Sequence, residues 1–185
     1  MAKDRNELIQ DLDRINSWIG NCDQKSSFLL TMVGVMATII CTSDLAKVVK
    51  DVLVTPFVAY WRNDLGGFNW LNCLIALSLI LGLGCLFSAI VFALLSLKAK
   101  TDYDEERKKQ EGMEEKSLLH YGSIAKMTYK DYALAENDMD NDLRSQIFTN
   151  SKICDKKFSR YKRALLLTLI SMPLLAVAFI LLLFV

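Results

Sequence analysis

Three blocks of apolar residues stand out along the chain, separated by stretches in which apolar positions recur only every three or four residues. Residues 70–97, WLNCLIALSLILGLGCLFSAIVFALLSL, contain no charged side chain. They are longer than the roughly 20 residues needed to cross a hydrocarbon core. Residues 164–185, ALLLTLISMPLLAVAFILLLFV, are equally uncharged and follow Arg163 directly. In the third block, residues 28–41 (FLLTMVGVMATIIC), the apolar heart is shorter. A buried or re-entrant segment competes with a crossing at that length, but flanking Ser26, Ser27, Thr42 and Ser43 extend it enough to favour a crossing. The expected fold class is an all-α membrane protein with three transmembrane helices, over residues 27–43, 70–97 and 164–185.

The intervening stretches have a helical period. Leu8, Leu12, Ile15, Ile19 and Cys22 recur at spacings of four and three, with Trp18 beside them. Residues 1–26 therefore predict an amphipathic helix that runs on into the first span. Ahead of the last span, Asn141 or Asp142 can cap a helix from Leu143 onward, uninterrupted until Pro173. Its cytoplasmic part carries an apolar stripe of Leu143, Ile147, Cys154 and Phe158, continued by Tyr161 and Leu165. Beside the stripe Gln146, Asn150, Ile153 and Lys157 stack at intervals of four, three and four, putting two amides and an ammonium on one edge. Residues 98–163 are expected to form a small helical cap, with a charged continuation of the second span broken near Gly112. Leu118, Leu119, Ile124 and Met127 would cover the neighbouring stripes. Thr128 followed by Asp131 predicts a short capped helix. The long helical extensions would then form a small helical bundle.

Residues 44–69 predict an interfacial helix, with Leu45, Val48, Val49 and Val52 on one face, ended by Pro56 and anchored by Tyr60, Trp61 and Trp70. Ser78 and Gly82, Gly84 and Ser88, and Ala89 and Ala93 are small pairs at i,i+4, suited to close packing within the chain or to self-association.

Charge sets the orientation. Lys and Arg number 4 in residues 1–26, 3 in residues 42–69 and 15 in residues 98–163. The basic excess places residues 98–163 in the cytoplasm. With three crossings the amino terminus is cytoplasmic too. Residues 1–25 are long, mixed in charge and amphipathic, unlike a cleaved leader. A net charge of +1 disfavours a DNA- or RNA-binding surface. The cysteines, 5 in number, have no CxxC pair and suggest neither a disulfide framework nor a metal site. Asp138, Asp140 and Asp142 mimic the start of a calcium loop, but Leu143 stands where glycine is required and Thr149 where a bidentate glutamate is required. A turn and helix cap is the simpler reading. With 1 histidine and no P-loop, GxSxG, HExxH or GxGxxG pattern, no catalytic residue is assigned and an enzyme is not expected.

Three stretches together resemble a known family. DQKSSFLLTMVGV at the head of the first span, LLHYGSIAKMTYKDY, and DLRSQIFTNSKICDKKFSRYKRAL before the last span are similar, in that order, to the signature regions of the Pycsar effector transmembrane family of bacterial anti-phage defence. The resemblance implies an inner-membrane effector, multi-pass, that responds to cyclic CMP (cCMP) or cyclic UMP (cUMP). A neighbouring pyrimidine cyclase makes that messenger on infection, and the effector impairs the membrane, killing the cell before phage spreads. It implies no cofactor beyond the nucleotide and membrane lipid as a partner, while the small pairs of residues 70–97 and a thin three-helix bundle favour a homo-oligomer.

A cyclic pyrimidine nucleotide offers a flat base, a ribose hydroxyl and one negative charge, which call for an aromatic face, amides and one or two cations. On the resemblance, His120, Tyr121, Lys126 and Tyr129 are candidates for stacking and phosphate contacts, and Gln146, Asn150 and Lys157 for the base edge or sugar. Against this stand plainer readings. His120 could be an interface residue, Asn150 could fix helix register, and the lysines before Arg163 could be positive-inside anchors. Two other functions fit the pattern: a structural or adaptor protein docking a cytoplasmic partner, and a constitutive ion channel, the latter disfavoured by the absence of charge in the spans.

Overall fold

The computed structural model describes residues 4–42, 70–98, 117–135 and 138–182, and among these every regular element is a helix. They are α1 (Arg5–Thr42), α2 (Trp70–Leu97), α3 (Tyr121–Ile124), α4 (Tyr129–Leu134) and α5 (Met139–Leu182). The expected interfacial helix of residues 44–69 and the charged continuation of residues 99–116 lie outside the described residues.

The chain divides into two compact units, Met1–Gln24 with Ser96–Ser159, and Lys25–Leu95 with Arg160–Val185. Helices α1 and α5 contribute residues to both. As expected, α1 runs through Gly20 without a break. Helix α5 starts earlier than the sequence pattern suggests: the Asp138 carboxylate accepts from the backbone N–H of Asp140 (3.1 Å) and Asn141 (3.4 Å). Asp138 is therefore the cap, rather than Asn141 or Asp142, and Met139 opens the helix. The reason is that Asp142 is drawn into the interior instead, where it is fully buried.

The first unit owes its interior to α1 and α5. Leu8, Ile15 and Cys22 are buried on α1, as their spacing predicts, while Leu12 and Ile19 are half-buried. On α5 Leu143 and Cys154 of the apolar stripe are buried as expected, and burial extends to the neighbouring row as well. Gln146, Asn150, Ile153 and Lys157 are all buried, whereas Ile147 and Phe158 of the apolar stripe are half-buried. Polar groups can occupy a buried row only because they are hydrogen-bonded there. Thr128 caps α4 as foreseen, its Oγ1 accepting from Asp131 N–H (3.2 Å) and donating to the Asp131 carboxylate (2.7 Å). Leu118, Ile124 and Met127 are half-buried, but Leu119 is exposed.

The second unit is held by one apolar cluster that includes Leu29 and Val33 of α1, Ile75, Leu79, Leu86 and Ala93 of α2, and Ala164, Leu175 and Ala178 of α5. The buried positions follow a heptad rhythm: 75, 79, 82, 86, 89 and 93 on α2, and 164, 168, 171, 175 and 178 on α5. Such a 3.5-residue seam is the pattern of left-handed supercoiled packing. The small residues permit it. A methyl group at Gly82 would lie 2.9 Å from the Leu175 side chain, whereas Gly84 has open space around it. Of the three small pairs, Ser78/Gly82 and Ala89/Ala93 pack internally, and Gly84 of the third faces outward. The hydroxyls on the seam return to their own helix, Ser78 to Ile75 O (3.0 Å), Thr168 to Ala164 O (2.9 Å) and Ser171 to Thr168 O (2.9 Å). Arg160 donates to the Leu95 carbonyl at the end of α2 (2.8 Å), where a helix terminus favours a cation.

Two helices, α2 and α5, are long and apolar enough to cross a membrane. Large side chains on their outer faces, among them Leu77, Phe87, Leu169 and Ile180, are exposed. So much exposed apolar surface is foreign to a water-soluble domain and suits a lipid solvent.

Candidate functional site

The first unit contains two interhelical polar pairs in one register. Asn150 on α5 donates from its side-chain amide to Oδ1 of the Asn16 side chain on α1 (2.9 Å), and the Lys157 ammonium is bonded to the Asp23 carboxylate. Seven residues separate 16 from 23, and seven separate 150 from 157. A matched advance of seven on both helices means that α1 and α5 run parallel here, with the pairs stacked about 10 Å apart along the axis. Polar residues at isolated positions of an apolar seam fix register, because sliding either helix opposes them to apolar neighbours.

The ion pair is asymmetric: the Lys157 side chain is 9% exposed and that of Asp23 36%. A third helix joins it. Ser96, the fully buried penultimate residue of α2, donates to the Lys157 carbonyl (3.2 Å) and lies 3.8 Å from the Cys22 sulfur. Cys154, buried on the next turn of α5, has its thiol pKa raised, mainly by burial and then by the neighbouring Cys22 and Asp155, with Lys157 opposing.

A second cluster secures the segment before α3. The Ser117 hydroxyl donates to the Asp142 carboxylate (2.9 Å), which also accepts from Leu118 N–H (3.0 Å). Three N–H groups converge on the Ser117 oxygen: Gln146 Nε2 at 2.7 Å, and the backbones of Leu119 and His120 at 3.1 Å each. Ser117 and Asp142 are fully buried.

The seven sequence candidates thus fall into separate groups. Gln146 reaches the His120 segment through Ser117, while Asn150 and Lys157 bond to α1. His120 is half-buried and packs over Gly122, where an added methyl would stand 2.8 Å from its Cε1. Lys126 and Tyr129 are exposed, Tyr129 at 86%. Tyr121 opens α3, and its side chain is outside the described residues. Sequence reasoning missed Asn16, Asp23, Ser117 and Asp142. The first two had a legible signal, since polar residues seven apart on α1 match those seven apart on α5; the Ser117 to Asp142 contact had none.

Near these pairs a groove of about 300 Å³ is lined by Ile15, Trp18, Ser151, Cys154, Asp155 and Phe158. Trp18 is 53% exposed. No group of three or more His, Cys, Asp or Glu suited to a metal ion occurs among the described residues.

The Pycsar effector protein domain matches residues 7–184, which is nearly the entire chain. The chain belongs to the Pycsar effector family. It is 26% identical over 173 residues to the Pycsar effector protein GmPycTM of Gulbenkiania mobilis, covering 86% of this chain and 83% of that one. No solved structure matches it. Membership of the Pycsar effector family, with two apolar helices of spanning length, makes this a membrane protein of anti-phage defence.

Proposed function

We propose that this protein is the membrane effector of a Pycsar system, activated by cCMP or cUMP to impair the inner membrane and abort infection. The family match over residues 7–184 carries this reading. On it, the third crossing expected over residues 27–43 is supplied by α1 as far as Thr42, where Phe28, Met32, Val35 and Ile39 are exposed as a lipid-facing side would be. The amino terminus and residues 98–163 lie in the cytoplasm, by the basic excess. The messenger comes from a neighbouring pyrimidine cyclase, and the effector works as a homo-oligomer. It binds among cytoplasmic helices, with His120, Tyr121, Lys126, Tyr129, Gln146, Asn150 and Lys157 as candidate contacts.

Gating requires that the ligand bind one arrangement of the cytoplasmic helices better than another. The register pairs supply an element with discrete alternatives, and α1 and α5 continue unbroken from those pairs into their apolar halves. The test is induced expression with and without a co-expressed pyrimidine cyclase while membrane potential is recorded. Loss of potential only in the paired strain is expected; equal loss in both strains would refute gating. Asn150→Ala or Lys157→Ala abolishes the paired response while membrane insertion is retained.

One observation favours a second reading, an adaptor that docks a cytoplasmic protein. Trp18 and Phe158 border an open groove, and half-exposed aromatics in such places serve as anchor points for partners. Isothermal titration of the full-length protein with cCMP and cUMP separates the two: heat from neither nucleotide selects the adaptor.

A further inference from the structure

We infer that Asp23 is a built-in stand-in for the ligand's phosphate, holding Lys157 until the cyclic nucleotide's anion displaces it. This rests on the reading of the protein as a cyclic-nucleotide effector and deepens it by naming the anion-binding group and its internal competitor.

Lys157 is a cation placed where a cation is costly. Its side chain is 9% exposed, and a buried ammonium must keep an anionic partner or lose its charge. Asp23 is that partner, yet its side chain remains 36% exposed, so an anion has an approach from the Asp23 side. The phosphodiester of a cyclic mononucleotide carries one negative charge, as does Asp23, and lysine binds phosphate as a point charge without demanding a particular geometry. Exchanging one anion for the other leaves Lys157 neutralised throughout and returns Asp23 to water, where it is well solvated. The exchange therefore avoids a stage with an unpaired buried charge. One heptad away Asn150 on α5 and Asn16 on α1 stay bonded to each other (2.9 Å), so the exchange at Lys157 leaves the other pair in place.

The consequence for the fold is specific. In the resting state the ion pair ties α1 to α5; with ligand bound, Lys157 pairs with the nucleotide and this tie is gone. Of the two register pins, the lower one is cut. Occupancy thereby changes the relation of two helices, which simple binding on a surface would not do.

An internal competitor lowers apparent affinity by the fraction of time it holds the site. Removing it raises affinity. The test is isothermal titration of the full-length protein in lipid nanodiscs with cCMP, cUMP and the uncharged nucleosides cytidine and uridine. Asp23→Asn is expected to tighten the bound cyclic nucleotide at least tenfold and leave nucleoside binding unchanged; Lys157→Gln is expected to abolish cyclic nucleotide binding. Asp23→Ser gives the same gain and serves where the asparagine variant does not fold. Unchanged or weaker cyclic-nucleotide binding in these Asp23 variants, with the wild type still binding, overturns the stand-in role and leaves the effector reading intact. If neither cyclic nucleotide binds the wild type or any variant, both are overturned.

Discussion

Replacing Ser117 with alanine isolates the polar cluster that secures the chain ahead of α3. The substitution is small and leaves backbone conformation unconstrained, so the helices should form as before. It removes one donor to a fully buried carboxylate, and it deprives the Leu119 and His120 N–H groups and the Gln146 amide of their common acceptor. A hydrogen bond to a charged group contributes about 1.5–3 kcal/mol, and a buried polar group left unsatisfied costs about 1–3 kcal/mol. These contributions are not additive, because once the segment lifts away its groups are hydrated, and local opening sets the ceiling. A net local loss of about 3 kcal/mol follows from the charged bond plus one partly buried amide. In native-state hydrogen exchange the Leu119 and His120 amides of Ser117→Ala should lose protection by about a hundredfold, at roughly 1.4 kcal/mol per decade. The Leu118 amide, still facing the Asp142 carboxylate, should lose less. Protection at Leu119 and His120 within twofold of wild type would show that the cluster does not secure this segment.

Other expectations concern separate parts of the molecule. Gly82→Ala should destabilise the apolar unit by about 1–3 kcal/mol, since its methyl meets Leu175, while Gly84→Ala should be neutral or stabilising; thermal midpoints in detergent compare them. Thr128→Ala removes the α4 cap and should cost about 1 kcal/mol locally, read as roughly fivefold faster exchange at the Asp131 amide with no change at Leu119. Cys154 contributes to pH dependence with a definite sign. Its folded pKa is raised, so the unfolded thiol ionises first, and its stability contribution, full below the unfolded value of about 8.5, is lost as pH rises through the folded value. Denaturant titrations between neutral and alkaline pH should therefore show a steeper alkaline decline for wild type than for Cys154→Ala.

Much of the architecture follows from local pattern. Uncharged blocks of spanning length declare apolar helices, and a 3.6-residue rhythm continued across Gly20 declares α1 one long helix, because both signals depend on neighbours in sequence. Asp131 three residues after Thr128 likewise announces a cap that only those two residues need to make. The polar row Gln146, Asn150 and Lys157 was legible as a row, but its burial was not. By side-chain type it belongs at a water-facing edge, and only the arrival of Ser117, Asn16 and Asp23 from distant parts of the chain makes the interior tolerable for amides and an ammonium. Asp142 makes the same point from the other side: as a residue it reads as a helix cap, yet tertiary structure uses it inside and leaves capping to Asp138. Hydrophobicity and helix propensity are properties of a segment, so the sequence alone determines which parts are helical and which prefer lipid. Satisfaction of a buried polar group is a property of a pair, and the partners here lie 134 residues apart for Asn16–Asn150 and Asp23–Lys157, so it took the folded chain to decide them.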